Sequence, residues 1–119
     1  MNAQREVPKA LFGVVRHVVD LLVSHRFDEV ASLTGGHRLS AAEMDSAVAD
    51  YPGTLVPLPD AAVDLLSAVP IAASEQPSWD IVQPLFTAEE GRSDLSLLLT
   101  VTANADGGYL VCVDDIHVL

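Results

Sequence analysis

Between Pro8 and Ser24 apolar side chains recur at three- and four-residue spacing, at Leu11, Val14, Val15, Val18, Val19, Leu22 and Val23, with Arg16, Asp20 and Ser24 between them. That is the period of one helix face. A helix is therefore expected from about Val7 to Ser24, with Pro8 in the first turn, where its missing N–H costs nothing. Its many β-branched residues are poor intrinsic helix formers, so packing against another layer must hold it. Arg26 to Leu33 predicts a short second helix with Phe27, Val30, Ala31 and Leu33 turned inward and Gly35-Gly36 ending it. Ser40-Ala41-Ala42-Glu43 matches a capping box and predicts a third helix to about Tyr51, stopped by Pro52-Gly53.

Beyond Gly53 the period changes. Thr54 to Pro59, with two prolines, reads as an extended connection or edge strand. Residues 60–73 fit either period: Val63, Leu65, Ser67 and Val69 alternate, whereas Ala61, Ala62, Leu65, Leu66 and Val69 suit a helix. Pro70 followed by Ile71 tips the choice toward strand. Trp79 to Gln83 predicts a strand interrupted at Pro84, and Leu85-Phe86-Thr87 resumes it. Glu89 to Ser93 connects to a long alternating strand carrying Leu95, Leu97, Leu99, Val101 and Ala103 on one parity. Asn104-Ala105-Asp106-Gly107-Gly108 supplies a hairpin turn, and Tyr109 to Val113 returns as its partner. Ile116 and Val118 then fall on the wrong parity. A one-residue bulge at Asp114-Asp115 restores Val111, Val113, Ile116 and Val118 to one face and turns a carboxylate outward; a strand covered on both faces is the alternative. The expected whole is one α+β domain, residues 1–119. Two to three N-terminal helices (about 7–51) pack on one curved antiparallel sheet of about four strands (about 54–119).

Composition narrows the class. Half of the 119 residues are hydrophobic, which opposes disorder, and a chain of this length can remove roughly two-thirds of its unfolded surface from water. No apolar run approaches the roughly 18 residues of a membrane span, and no signal peptide is evident. The single Cys112 excludes an intrachain disulfide and fits a reducing cytoplasm; set mid-strand among apolar residues, it reads as a buried inert thiol. Charge is uneven. Residues 1–38 hold five basic and four acidic side chains, a net of +1, whereas residues 39–119 hold only Arg92 against thirteen acids, a net of −12. Direct nucleic-acid binding is disfavoured, because phosphates need Lys and Arg, and a basic protein partner is favoured.

The chemistry-bearing residues are sparse. His17, His25, His37 and His117 show no metal-ligand spacing, and no phosphate-binding glycine loop occurs, so neither metal nor cofactor is expected. Asp114, Asp115 and His117 would begin an acid–base set, yet no nucleophile or oxyanion hole accompanies them, and the reading leans away from catalysis. Glu89, Glu90, Arg92 and Asp94 form a charged loop in which Glu90 or Asp94 is expected to hold Arg92. Trp79 is expected to anchor the core.

The stretch Phe86-Thr87-Ala88-Glu89-Glu90-Gly91-Arg92-Ser93-Asp94-Leu95, followed by alternating strands and a closing Asp114-Asp115-Ile116-His117-Val118-Leu119, resembles a family of small bacterial proteins of unknown function. Helices first and a curved sheet last also resembles the NTF2-like (cystatin-like α+β cone) architecture, which hosts enzymes, ligand-binding proteins and immunity proteins of toxin systems. With the charge asymmetry, the resemblance implies a non-enzymatic, cytoplasmic, immunity- or antitoxin-like protein. It would occlude a basic partner such as a nuclease toxin through Glu89, Glu90, Arg92, Asp94, Asp114, Asp115 and His117. The alternative is a small-molecule binder or enzyme with a hollow between helices and sheet, using His117, Asp115 and Tyr109. A third reading is a homodimer through the exposed sheet face, suggested by Leu98 and Leu110 on the off parity.

Overall fold

The computed structural model describes residues 8–34, 39–72 and 74–118. Helix α1 spans Ala10–Val23, α2 Phe27–Thr34 and α3 Ala41–Asp50, followed by strand β1 at Leu55–Val56. A 3-10 turn at Asp60–Leu65 leads to β2 at Ser67–Pro70, β3 at Ser78–Thr87, β4 at Gly91–Ala103 and β5 at Tyr109–Val118. The expected α+β arrangement holds: N-terminal helices pack on one open antiparallel sheet. The sequence expectations at Gly35-Gly36 and His37 lie outside the described residues.

Helix α1 buries the stripe its period predicts, Leu11, Val15, Val18, Val19 and Leu22. It ends in a Schellman arrangement, with the His25 N–H donating to Leu22 O (3.0 Å) and the Arg26 N–H to Leu21 O (2.9 Å). His25 occupies the left-handed position at φ 58°, one usually given to glycine. The capping box forms in both directions: the Glu43 N–H donates to Ser40 Oγ (3.1 Å) and the Ser40 N–H to Glu43 Oε1 (2.9 Å).

The sheet runs β1-β3-β4-β5, and β2 pairs with the same side of β3 as β1, further along it. Pro84 does not interrupt β3 as expected. It faces the gap between β1 and β2, and its carbonyl accepts from Gln83 Nε2 (3.0 Å) in place of a strand partner. Opposite it the β4 register slips, because Ser93, Asp94 and Leu95 fall between the pairs Pro84–Ser96 and Phe86–Arg92. The Ser93 hydroxyl fills that irregularity by donating to Leu85 O (2.8 Å) and accepting from the Leu95 N–H (3.1 Å).

The ambiguous segment 60–73 resolves as a mixture, not the single strand preferred from sequence. The Ala62 N–H donates to Pro59 O (3.0 Å) and tucks Ala62 fully inside, and only Ser67–Pro70 joins the sheet. The bulge forms at the expected place. Leu98 pairs with Asp115 but Leu99 with Val113, so Asp114 is the extra residue, and Val113 and Ile116 both turn inward. Val118, at the end of the strand, stays exposed.

Between the layers, Ile81, Leu97, Leu99, Val101 and Val113 meet Leu11, Val15, Val18 and Met44 in one apolar cluster, and Trp79 anchors its edge. These side chains fill the centre between the layers, and an open depression of about 410 Å³ remains between α1 and β5, lined by Gly13, Val14, His17, Leu33 and Tyr109 among others.

Candidate functional site

Sheet pairing sorts every strand residue onto one of two faces, since directly paired residues point the same way. The inner face is the core. The outer face carries the pairs Ser67–Val82, Val69–Asp80, Val82–Leu98, Asp80–Thr100, Leu98–Asp115, Thr100–Cys112, Ser96–His117 and Thr102–Leu110. No helix covers it among the described residues. Its centre is apolar and half-buried, at Val82, Leu98 and Cys112, and its margins hold Val69 and Leu110, which are 56% and 58% exposed. Cys112, expected inside, is therefore an outer-face residue.

Carboxylates ring that centre. The Thr100 hydroxyl donates to Asp114 Oδ2 at 2.6 Å and lies 3.5 Å from Asp80 Oδ1, so one hydroxyl joins carboxylates of two strands. The bulge makes this possible, because the extra residue sends Asp114 outward beside Asp115. Asp115 Oδ2 contacts His117 Nδ1 at 2.6 Å, and Asp115 Oδ1 accepts from the Ile116 N–H (2.8 Å). His117 and Asp115 thus face away from the helices, outside the hollow in which the alternative reading placed them. Ser96 stands opposite His117 in the ladder, and no side-chain hydrogen bond joins them.

The other four candidates lie at the β3–β4 turn, toward which the end of β5 runs. Two of them hold the fold together. Glu89 accepts from the Thr54 N–H (2.8 Å) and the Thr54 hydroxyl (3.0 Å), tying the turn to the segment before β1. The approach is close: a Cβ at Gly53 would stand 3.1 Å from Thr87 Cγ2. The Thr54 backbone N–H, then the N–H of Glu89 itself and the Thr54 hydroxyl, hold the Glu89 carboxyl below its ordinary range. Glu90 accepts from the Tyr51 hydroxyl at 2.6 Å, and that oxygen in turn accepts from the Asp94 N–H (3.1 Å). The Glu90 contact holds the proton on Tyr51 and raises its pKa, only partly opposed by the Asp94 N–H.

The expected capture of Arg92 by Glu90 or Asp94 does not occur. Glu90 is occupied by Tyr51, and Arg92 forms no ion pair with a described residue. Arg92 instead lines a shallow depression of about 360 Å³ beside Ser67, Val82, Ser93, Asp94 and Ser96, at the border of the outer face. The arrangement can therefore offer acidic and apolar contacts together. Among the described residues no three His, Cys, Asp or Glu side chains converge as metal ligands, and no helix is long and apolar enough to cross a membrane.

The family described as a domain of unknown function, DUF7668, matches residues 19–119. The chain belongs to this family. The match takes in the last five residues of α1 and everything after it, so the whole sheet and both groups of candidate residues are part of the DUF7668 domain. No curated protein and no solved structure shows significant similarity to the chain.

Sequence reasoning missed Asp80, Thr100 and Tyr51 as contributors. Asp80 had a legible signal, because it alternates with the inward Trp79 and Ile81. Tyr51 had none, since it meets Glu90 across 39 positions.

Proposed function

We propose that this domain is a non-enzymatic, immunity- or antitoxin-like module that binds a basic protein partner in the cytoplasm through the uncovered face of its sheet. One observation carries the reading: an apolar centre of Val82, Leu98 and Cys112 is bordered by Asp80, Asp114 and Asp115 and has no covering layer among the described residues. Interfaces combine a desolvated apolar core with a polar rim, and the sign of this rim selects a partner rich in Lys and Arg. A nuclease toxin, whose surface must attract phosphates, has that character. The domain would neutralise it by occlusion. The Glu89, Glu90 and Asp94 group adds negative potential at the adjoining end of the sheet while remaining tied into the turn. The same potential opposes pairing of two identical faces, so a heterologous partner is preferred to a homodimer.

The test is capture of partners from the native host by the full chain at low salt, alongside a variant carrying Asp80→Asn, Asp114→Asn and Asp115→Asn. The wild-type chain is expected to retain a basic protein whose nuclease activity it inhibits. Association of the variant should slow by about tenfold at low salt and depend less on ionic strength. A captured partner indifferent to salt and to all three substitutions would refute the reading, as would recovery of no nuclease.

A further inference from the structure

A further concavity lies apart from the candidate residues. It lies between α1 and the 3-10 turn, has a volume of about 570 Å³, and is lined by Lys9, Phe12, Arg16, Asp60, Val63 and Leu66 among others. Its walls are apolar. Val63 is 47% exposed although nothing polar requires it there. Two of the four described basic side chains of the chain, Lys9 and Arg16, meet in it.

Arg16 is held as a fixed cation. Its Nη2 donates to Leu58 O (3.1 Å) and to Asp60 Oδ1 (2.9 Å), and its guanidinium carbon stands 5.0 Å from the centre of the Phe12 ring. Its Nε is shielded from water and has no acceptor among the described residues. A charged donor shielded from water gains from an anionic acceptor, because its hydrogen bonds are charge-assisted. Asp60 supplies only part of that: its side chain is wholly exposed, and a pair of that kind is weak and readily exchanged.

We propose that this groove binds a small amphiphilic carboxylate, an anion with an apolar body such as a medium-chain fatty acid. The ligand carboxylate takes the place of Asp60 against Arg16, with Lys9 as a second positive charge at the rim. Its hydrocarbon part covers Phe12, Val63 and Leu66. A volume of this size lies within the range of small-molecule sites, and such sites pair an apolar lining with a few placed polar groups. The groove shares no residue with the outer sheet face, so this proposal does not depend on the partner-binding one.

The experiment uses the full chain, with decanoate and decan-1-ol as probes, followed by chemical-shift titration of backbone amides and of the Arg16 Nε–H. Decanoate is expected to saturate the site, to move the Arg16 Nε–H together with Phe12, Val63 and Leu66, and to bind about tenfold more tightly than the alcohol. Val63→Glu, at an exposed position, should weaken decanoate by about tenfold without unfolding the chain. Asp60→Asn removes the competing carboxylate and should tighten binding by about two- to fivefold. Equal affinity for acid and alcohol would overturn the proposal, as would unsaturable shifts, shifts at Leu98 and Cys112 in place of Phe12 and Val63, or weaker binding by the Asp60→Asn chain.

Discussion

Leu98 and Leu99 are neighbours in the chain, yet the pleat of β4 sends Leu99 into the core and Leu98 to the uncovered face. Replacing each by Ala in turn tests the two-layer arrangement at one point of one strand. Leu99 is 1% exposed and sits between Ile81 and Val113, so truncation leaves a cavity that fixed strands cannot close. The expected cost is about 3–4 kcal/mol. Leu98 is half-buried and opens to solvent, so its truncation loses part of one side chain's burial and makes no enclosed void, a cost of about 1 kcal/mol. At this chain length one kcal/mol corresponds to roughly 3–5 °C of melting temperature, so Leu99→Ala should lower it by roughly 10–20 °C and Leu98→Ala by roughly 3–5 °C. Thermal unfolding followed by calorimetry and by far-ultraviolet circular dichroism, at two protein concentrations a hundredfold apart, measures both. Equal losses for the two variants would mean that Leu98 is also covered. A melting temperature that rises with concentration and falls on Leu98→Ala would identify a second copy as the cover and refute the uncovered face.

The bonds at the β3–β4 turn give two pH-dependent expectations. Glu89 has a folded pKa below its unfolded value, so its contribution is present above the ordinary carboxylate range and is lost as pH falls through the folded value. Glu89→Gln should therefore be less stable than the wild-type chain near neutrality, with the gap closing below about pH 4 in urea titrations; a gap independent of pH would contradict the Thr54 contact. Tyr51 is shifted the other way: its stabilisation is full below the unfolded phenol pKa and is lost as pH rises through the higher folded value. In the folded chain its phenolate absorbance should appear at a higher pH than in the unfolded chain. Glu90→Gln should bring that titration down, and Tyr51→Phe should lose less stability than wild type on alkalinisation.

Local signals were the legible ones. The stripe Leu11, Val15, Val18, Val19 and Leu22, the Ser40–Glu43 box and the parity break at Asp114-Asp115 each state their geometry within a few residues, and each forms as expected. Pro84 misled because a missing N–H is costly only where a neighbouring strand needs it, and the gap between β1 and β2 is set elsewhere in the chain. Residues 60–73 misled because three-residue turns satisfy neither the helical nor the strand period. At the candidate site, spacing could propose that acidic residues cluster. It could not say that Glu89 and Glu90 spend their oxygens on Thr54 and Tyr51, or that Thr100 lies between Asp80 and Asp114, since both depend on register across distant segments.

The sheet ends at β5, whose far side has no neighbour among the described residues, and a straight ten-residue rim would invite another chain to add a strand there. The misfit at Asp114 breaks that rim near its middle, twisting the peptide groups out of line and setting two adjacent carboxylates along it. The irregularity that shapes the outer face thereby also guards the molecule against polymerising through its own border.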